Sequence, residues 1–276
     1  MSIRDSERAL RRGALFIGAH KRSRFLIGVH NCGVLFIVAL LLFSPRYALS
    51  ANADAIMVDY VIDGDTIILE DHRRVRLIGI NAPEQGSDSR QAQSYALEAR
   101  LALQQLVQGK WVQVIKGSEA VDRYGRTLAY IELEDGTDVQ ELMLARGYAA
   151  FVAISPNSAR INRYIKAEQV ARDQSLGIWS FPGFVLDSPS ARDQFDGGFA
   201  VIDSIVTEVR ESSKYHIFEL ESGMSVRVAK RSWQLHWDSA LPQSYTARTV
   251  EVRGWFFFHN KAPVTVVSHP SMMQIQ

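Results

Sequence analysis

From residue 56 onward, apolar positions recur mostly at the two-residue spacing of strands. Residues 56–62, 66–69 and 75–80 are apolar and β-branched, parted by the Gly64-Asp65 turn and the charged turn Glu70-Asp71-His72-Arg73, and each predicts a strand. Over 91–107 the spacing becomes helical. Ala96, Ala99, Leu103 and Leu106 share one face, and Gly109 follows as a stop. Residues 111–115 and 127–133 predict two more strands, with Asp135-Gly136 as a turn. Asp138 with Glu141 three residues on opens a helix in capping-box fashion, and Gly147 ends it. A further helix is expected from about 158 to 175, with Ile161, Tyr164, Ile165 and Ala171 near one face.

Three strands, a helix, two strands and further helices predict a mainly β fold with α additions. The expected form is a five-stranded Greek-key barrel of the OB kind; long parallel crossovers are missing, which argues against a Rossmann-type sheet. The pattern weakens where Pro182, Gly183, Pro189 and Gly197-Gly198 punctuate a polar stretch. Strands are then expected over 199–210, 215–220, 224–229, 249–258 and 264–268, with a short helix over 231–241. That order fits a second, smaller OB-like β domain. The expected organisation is a targeting segment at 1–53, a first domain at 54–182, a linker at 183–198 and an accessory domain at 199–276.

Charge changes the picture at the N-terminus. The net charge is +1, but residues 1–50 carry eight basic side chains (Arg4, Arg8, Arg11, Arg12, Lys21, Arg22, Arg24, Arg46) against Asp5 and Glu7, leaving 23 basic and 28 acidic in the remainder. A protein that coats nucleic acid without specificity is normally basic throughout, so any grip on a polyanion must be local here. The basic leader runs into the apolar stretch 33–43 and then into small residues at 48–53, the order of a secretory signal peptide. Export to the periplasm or medium is expected. Left uncleaved, and lengthened by residues 25–29, the same stretch would be a membrane anchor. The single cysteine, Cys32, lies within it. The remaining chain offers no disulfide, zinc knuckle or cysteine nucleophile, and His72, His216, His236, His259 and His269 lack metal-ligand spacing.

Candidate chemistry lies in four ordered blocks: Ile62-Asp63-Gly64-Asp65-Thr66, residues 76–84, Asp122-Arg123-Tyr124-Gly125-Arg126, and Gly177-Ile178-Trp179-Ser180. Two carboxylates in a Gly turn can both face a cation. The plainer reading of Asp63 is a cap on its own turn, and Asp65 is the better candidate for metal ligation, although Asp-Gly-Asp turns are common. Arg76 alternates with Val75 and Leu77, so it faces either solvent or a site. Arg126 follows Gly125, where the backbone can turn tightly. Two guanidiniums can clamp one phosphate with paired hydrogen bonds. Glu84 follows Pro83, which stiffens its loop and suits a carboxylate that orients water. In the second half, Trp255-Phe256-Phe257-Phe258-His259 with Lys261 reads either as a core strand or as a stacking surface for single strands.

Taken together, the blocks resemble the staphylococcal nuclease-like (thermonuclease) family over roughly residues 56–180. The resemblance implies an OB barrel with three helices and a Ca2+-dependent phosphodiesterase acting on DNA and RNA. It implies Asp65, Asn81 and the backbone carbonyl of Ala82 as metal ligands, and Glu84 as general base or water positioner. Arg76 and Arg126 would bind phosphate and stabilise the transition state, with Tyr124 as a substrate contact. Attack by water would cleave the 5′-side P–O bond and leave 3′-phosphate ends. Two departures stand out. Asn81 occupies a position where the family commonly has a second calcium-binding aspartate, and ligand charge count sets calcium affinity. Residues 151–156 replace a loop that carries nucleotide-contacting tyrosines in the best-known member of the family. A monomer is expected. The competing reading is a non-catalytic nucleic-acid- or protein-binding module on the same fold.

Overall fold

Two rings of strands, each closed by a return to its first member, organise the described residues. The computed structural model describes residues 55–86, 91–187, 189–237 and 240–276. Residues 1–53, with the expected signal and Cys32, lie outside the described residues. Strands β1 (Ala55–Asp63), β2 (Thr66–Leu69) and β3 (Arg74–Leu77) follow one another antiparallel. After the two-residue β4 (Ile80–Asn81) come helix α1 (Ala96–Val107) and strands β5 (Trp111–Val121) and β6 (Thr127–Leu133). The ring runs β1-β2-β3-β6-β5 and back to β1, and its one parallel pair is β3–β6. Its core joins Val58, Ile67, Leu69, Val75, Leu77 and Ile131 to Leu103 and Val107 of α1. Each such side chain contributes roughly 1.5–3 kcal/mol when fully buried.

Two boundaries differ from expectation, and both differences serve the site. The stretch 75–80 is not one strand. The chain turns at Gly79 (φ +85), where an added Cβ would lie 2.6 Å from the Tyr164 ring, and β4 pairs instead with β7 (Ala150–Phe151). Helix α1 begins at Ala96 rather than 91, because Tyr95 sits in the left-handed region at φ 71 and Gln93 is drawn into the preceding loop. The Asp138 cap is present: its carboxylate accepts from Glu141 N at 3.0 Å and opens α2 (Val139–Ala145). Helix α3 (Ile161–Asp173) follows, and Gly177–Ser180 forms a 3-10 turn.

Within the stretch expected as a linker, β8 (Val185–Leu186) pairs with the next strand and a turn of helix, α4, covers Ala191–Gln194. The second ring comprises β9 (Gly198–Glu211), β10 (Tyr215–Leu220), β11 (Ser225–Ala229), β12 (Thr249–His259) and β13 (Ala262–Val267), with α5 (Lys230–His236) between β11 and β12. Its order, β9-β10-β11-β13-β12 and back to β9, repeats that of the first ring, including the parallel third–fifth pair. A short β14 (Met273–Ile275), not foreseen from the pattern, adds to β12. Aromatics fill this core: Trp233 stacks on Trp237 (4.9 Å, 12°) and on Phe218 (5.5 Å, 25°). The architecture is mixed, with more strand than helix, and carries two five-strand barrels. Among the described residues no helix is long and apolar enough to cross a membrane.

The rings meet in one compact unit through a buried charge cluster. Arg253 of β12 pairs with Glu168 of α3 at 2.7 Å and with Glu251, while Arg172 reaches Glu251 at 2.5 Å. Arg253 also donates to the carbonyl of Phe151 (3.2 Å), and Phe151 N donates to Glu168 (2.5 Å). Nearby, Ala153 N donates to the Met272 sulfur at 3.0 Å. These contacts hold β7, the strand paired with β4.

Candidate active site

The site begins at the turn between β1 and β2. Asp63 accepts the Asp65 N–H at 3.1 Å, the Asx-type cap its spacing suggests. Gly64 allows an approach no other residue would: a Cβ there would lie 2.5 Å from the Ala82 Cβ and 2.8 Å from that of Ala99. Asp65 is thereby pressed against the loop after β4. Its carboxylate accepts from Ala82 N (2.8 Å), from Arg76 (2.9 Å) and from the Thr66 hydroxyl (3.0 Å). Burial pushes this carboxyl up to about 7, and the Arg76 charge and the Ala82 N–H oppose the rise.

Arg76 leaves β3 toward the same point. One terminal nitrogen donates to the carbonyls of Leu77 and Ile80, both at 2.9 Å, and the other lies 2.9 Å from Asp65 and 3.3 Å from the Asn81 side-chain oxygen. The turn at Gly79 is what brings Asn81 here. A positive nitrogen thus already sits between the Asp65 and Asn81 oxygens. The donor chemistry fits a hard cation, which takes oxygen ligands, although only one of the two is a full charge. Among the described residues no three His, Cys, Asp or Glu side chains group as metal ligands.

Glu84 is exposed in the loop after Pro83. Its N–H donates to the Gln93 side chain at 2.7 Å while Gln93 N donates back to its carbonyl at 3.0 Å, so the bend before α1 braces the carboxylate's backbone. At the β5–β6 turn, Gly125 has φ +78 and Asp122 organises the rest. Asp122 accepts the N–H groups of Tyr124 and Arg126, each at 2.9 Å, and pairs with Arg126 Nε at 2.6 Å. Burial works against its charge, but these hydrogen bonds outweigh it and hold the carboxyl below the usual range. The terminal nitrogens of Arg126 make no hydrogen bond among the described residues.

Arg76, Asn81, Glu84, Tyr124 and Arg126 line one cleft of about 610 Å³. Asp65 and Ala82 lie buried behind Arg76 and Asn81. Asp122, Arg123, Gln93 and Trp255 also bear on this site and were not singled out for it. The Asp122 role was signalled by a carboxylate four residues before Arg126 across a Gly turn. Phe151 is buried and does not take the place of a stacking tyrosine, whereas Ile154 lines the cleft.

A family model described as staphylococcal nuclease homologue matches residues 74–181. The chain is 33% identical over 135 residues to a thermonuclease of Staphylococcus hyicus, covering 48% of this chain and 79% of that protein. It is 37% identical over 123 residues to an uncharacterized endonuclease of Escherichia coli, covering 44% and 73%. With the SPbeta prophage-derived endonuclease YokF of Bacillus subtilis the identity is 34% over 137 residues, and the chain spans 48% of its own length but only 46% of that relative. Residues 199–276 lie outside the family match. On the strength of these matches, the chain belongs to the staphylococcal nuclease family.

Proposed function

We propose that this protein is an exported nuclease that hydrolyses phosphodiester bonds of DNA and RNA with the help of Ca2+, on a first barrel of OB type and with a second OB-like barrel attached. One observation carries the reading: the guanidinium of Arg126, whose terminal nitrogens make no hydrogen bond among the described residues, shares a cleft with Glu84, whose backbone is braced by Gln93. Arg126 would bind two oxygens of one phosphate, with its direction set by Asp122. Arg76 lines the same cleft and would be the second clamp. Glu84 would orient a water toward phosphorus and take its proton. The water oxygen bonds to phosphorus, the bond to the 5′ oxygen breaks, that oxygen takes up a proton, and a 3′-phosphate end remains. Asp65, Asn81 and the Ala82 carbonyl would hold calcium, which when bound neutralises charge on the phosphate. Export is proposed from the basic-then-apolar order of residues 1–53, and N-terminal sequencing of secreted material tests it.

The non-catalytic reading draws support from Asn81, which lowers the charge of the metal set. Arg126→Ala separates the two. The catalytic reading expects kcat to fall about 10²–10³-fold, with folding preserved by circular dichroism. Hydrolysis within threefold of the wild type would remove Arg126 from the chemistry.

A further inference from the structure

The strand that clamps the two rings together continues into the cleft. Along β12 alternate residues share a face. Glu251 and Arg253 lie on one face, buried against α3. The next residue on that face, Trp255, is 39% exposed and lines the same cleft as Arg76, Glu84 and Arg126. Phe257, one step further along, is 48% exposed, while Phe256 between them is buried in the second barrel. Trp255 is held in place. Its ring meets Phe199 edge-on at 5.3 Å, and its carbonyl accepts from the Thr265 hydroxyl at 3.1 Å.

The first barrel supplies a second aromatic to this cleft. Tyr124 is exposed and carries the Arg123 guanidinium 4.8 Å above its ring centre. Arg123 has no carboxylate partner among the described residues. Cations and aromatic faces from two barrels therefore share one opening of about 610 Å³. Stacked side chains and cations that track a backbone are how proteins grip unpaired strands. In a duplex, neighbouring bases cover both faces of each base, so Trp255 has a partner only in a single strand.

We propose that Trp255 is a base-stacking subsite that selects single-stranded nucleic acid, and that Phe257 extends it away from the cleft. This rests on the reading that the cleft takes a nucleic-acid phosphate. The test uses the full chain in chelator, where binding is read without hydrolysis. A fluorescein-labelled oligo-dT is titrated by anisotropy against wild type, W255A and W255F, with a duplex of equal length alongside. W255A is expected to weaken single-strand binding about 5- to 100-fold, and W255F to retain most of the affinity. Equal binding of strand and duplex by the wild type, or W255A binding like wild type, overturns the proposal. Should W255A fail to fold, photo-crosslinking of a 5-iododeoxyuridine oligonucleotide to the wild type decides. An adduct on Trp255 is expected, and adducts confined to other peptides overturn the assignment. Wild-type protein that binds through Trp255 yet leaves DNA intact in calcium would sink the catalytic reading and keep this one. Hydrolysis with no role for Trp255 would do the reverse.

Discussion

Replacing Arg253 by methionine keeps the side-chain stem and removes the charge at the centre of the inter-barrel cluster. Arg253, Glu168 and Glu251 are all at most 3% exposed, so the variant leaves Glu168 without its close cation in the interior and Glu251 with Arg172 alone. Arg172 remains, but it is partly exposed and lies 3.7 Å from Glu168. Breaking a buried pair by removing one partner costs about 3–5 kcal/mol, a fifth or more of the roughly 5–15 kcal/mol that holds a typical domain. The loss has a pH signature. Burial raises the Glu168 carboxyl despite the Arg253 charge, so the folded state holds its proton more tightly than the unfolded chain. A raised carboxyl loses stability as pH rises from the unfolded value toward the folded one. Without Arg253 that rise is larger, and the deficit against wild type should be greatest near pH 8 and narrow toward pH 5. Glu251 acts oppositely: burial opposes its charge, but Arg172 and Arg253 hold it below the usual range, so its contribution is lost as pH falls. Urea unfolding of the wild type, R253M and R253M/E168Q/E251Q at both pH values measures this, and the triple variant should recover most of the loss. A deficit under about 1 kcal/mol at pH 8, or no recovery on neutralising the glutamates, would refute the reasoning.

Asn81→Asp adds a full charge to the oxygen set and should tighten calcium binding about tenfold or more by calorimetry, as ligand charge count dictates. Because Asp65 is pushed up to about 7 without metal, calcium binding should release a proton and weaken about tenfold per pH unit below 7, read from the dissociation constant at pH 6 and 8. Gly64→Ala drives a methyl into Ala82 and Ala99 and should cost about 1–3 kcal/mol in denaturant unfolding. The same change should weaken calcium binding, because Ala82 must move.

Much of the strand order was legible because it rests on local alternation. The Asp138 cap and the Asp63 turn were legible for the same reason, since each acts within three residues. Gly79 was not. Its turn follows from the Tyr164 ring packed against it, a contact 85 residues away that no local pattern encodes. The same distance problem hid the β4–β7 pairing, which carries Asn81 into the site. It also hid the charge cluster, whose members Glu168, Arg172, Glu251 and Arg253 come from α3 and β12. Asp65, Arg76, Glu84 and Arg126 stood out as motifs, and the fold brings Arg76, Glu84 and Arg126 to one cleft with Asp65 paired to Arg76. What alternation left open was the aromatic run of β12, where Trp255 and Phe257 share a face that leaves the core.

The central claim is best tested by titrating calcium against hydrolysis of DNA by the purified protein, with product ends analysed at saturation. The account predicts no cleavage in chelator, a saturable rise with calcium despite Asn81, and 3′-phosphate ends. DNA that is bound yet stays intact at saturating calcium would contradict it.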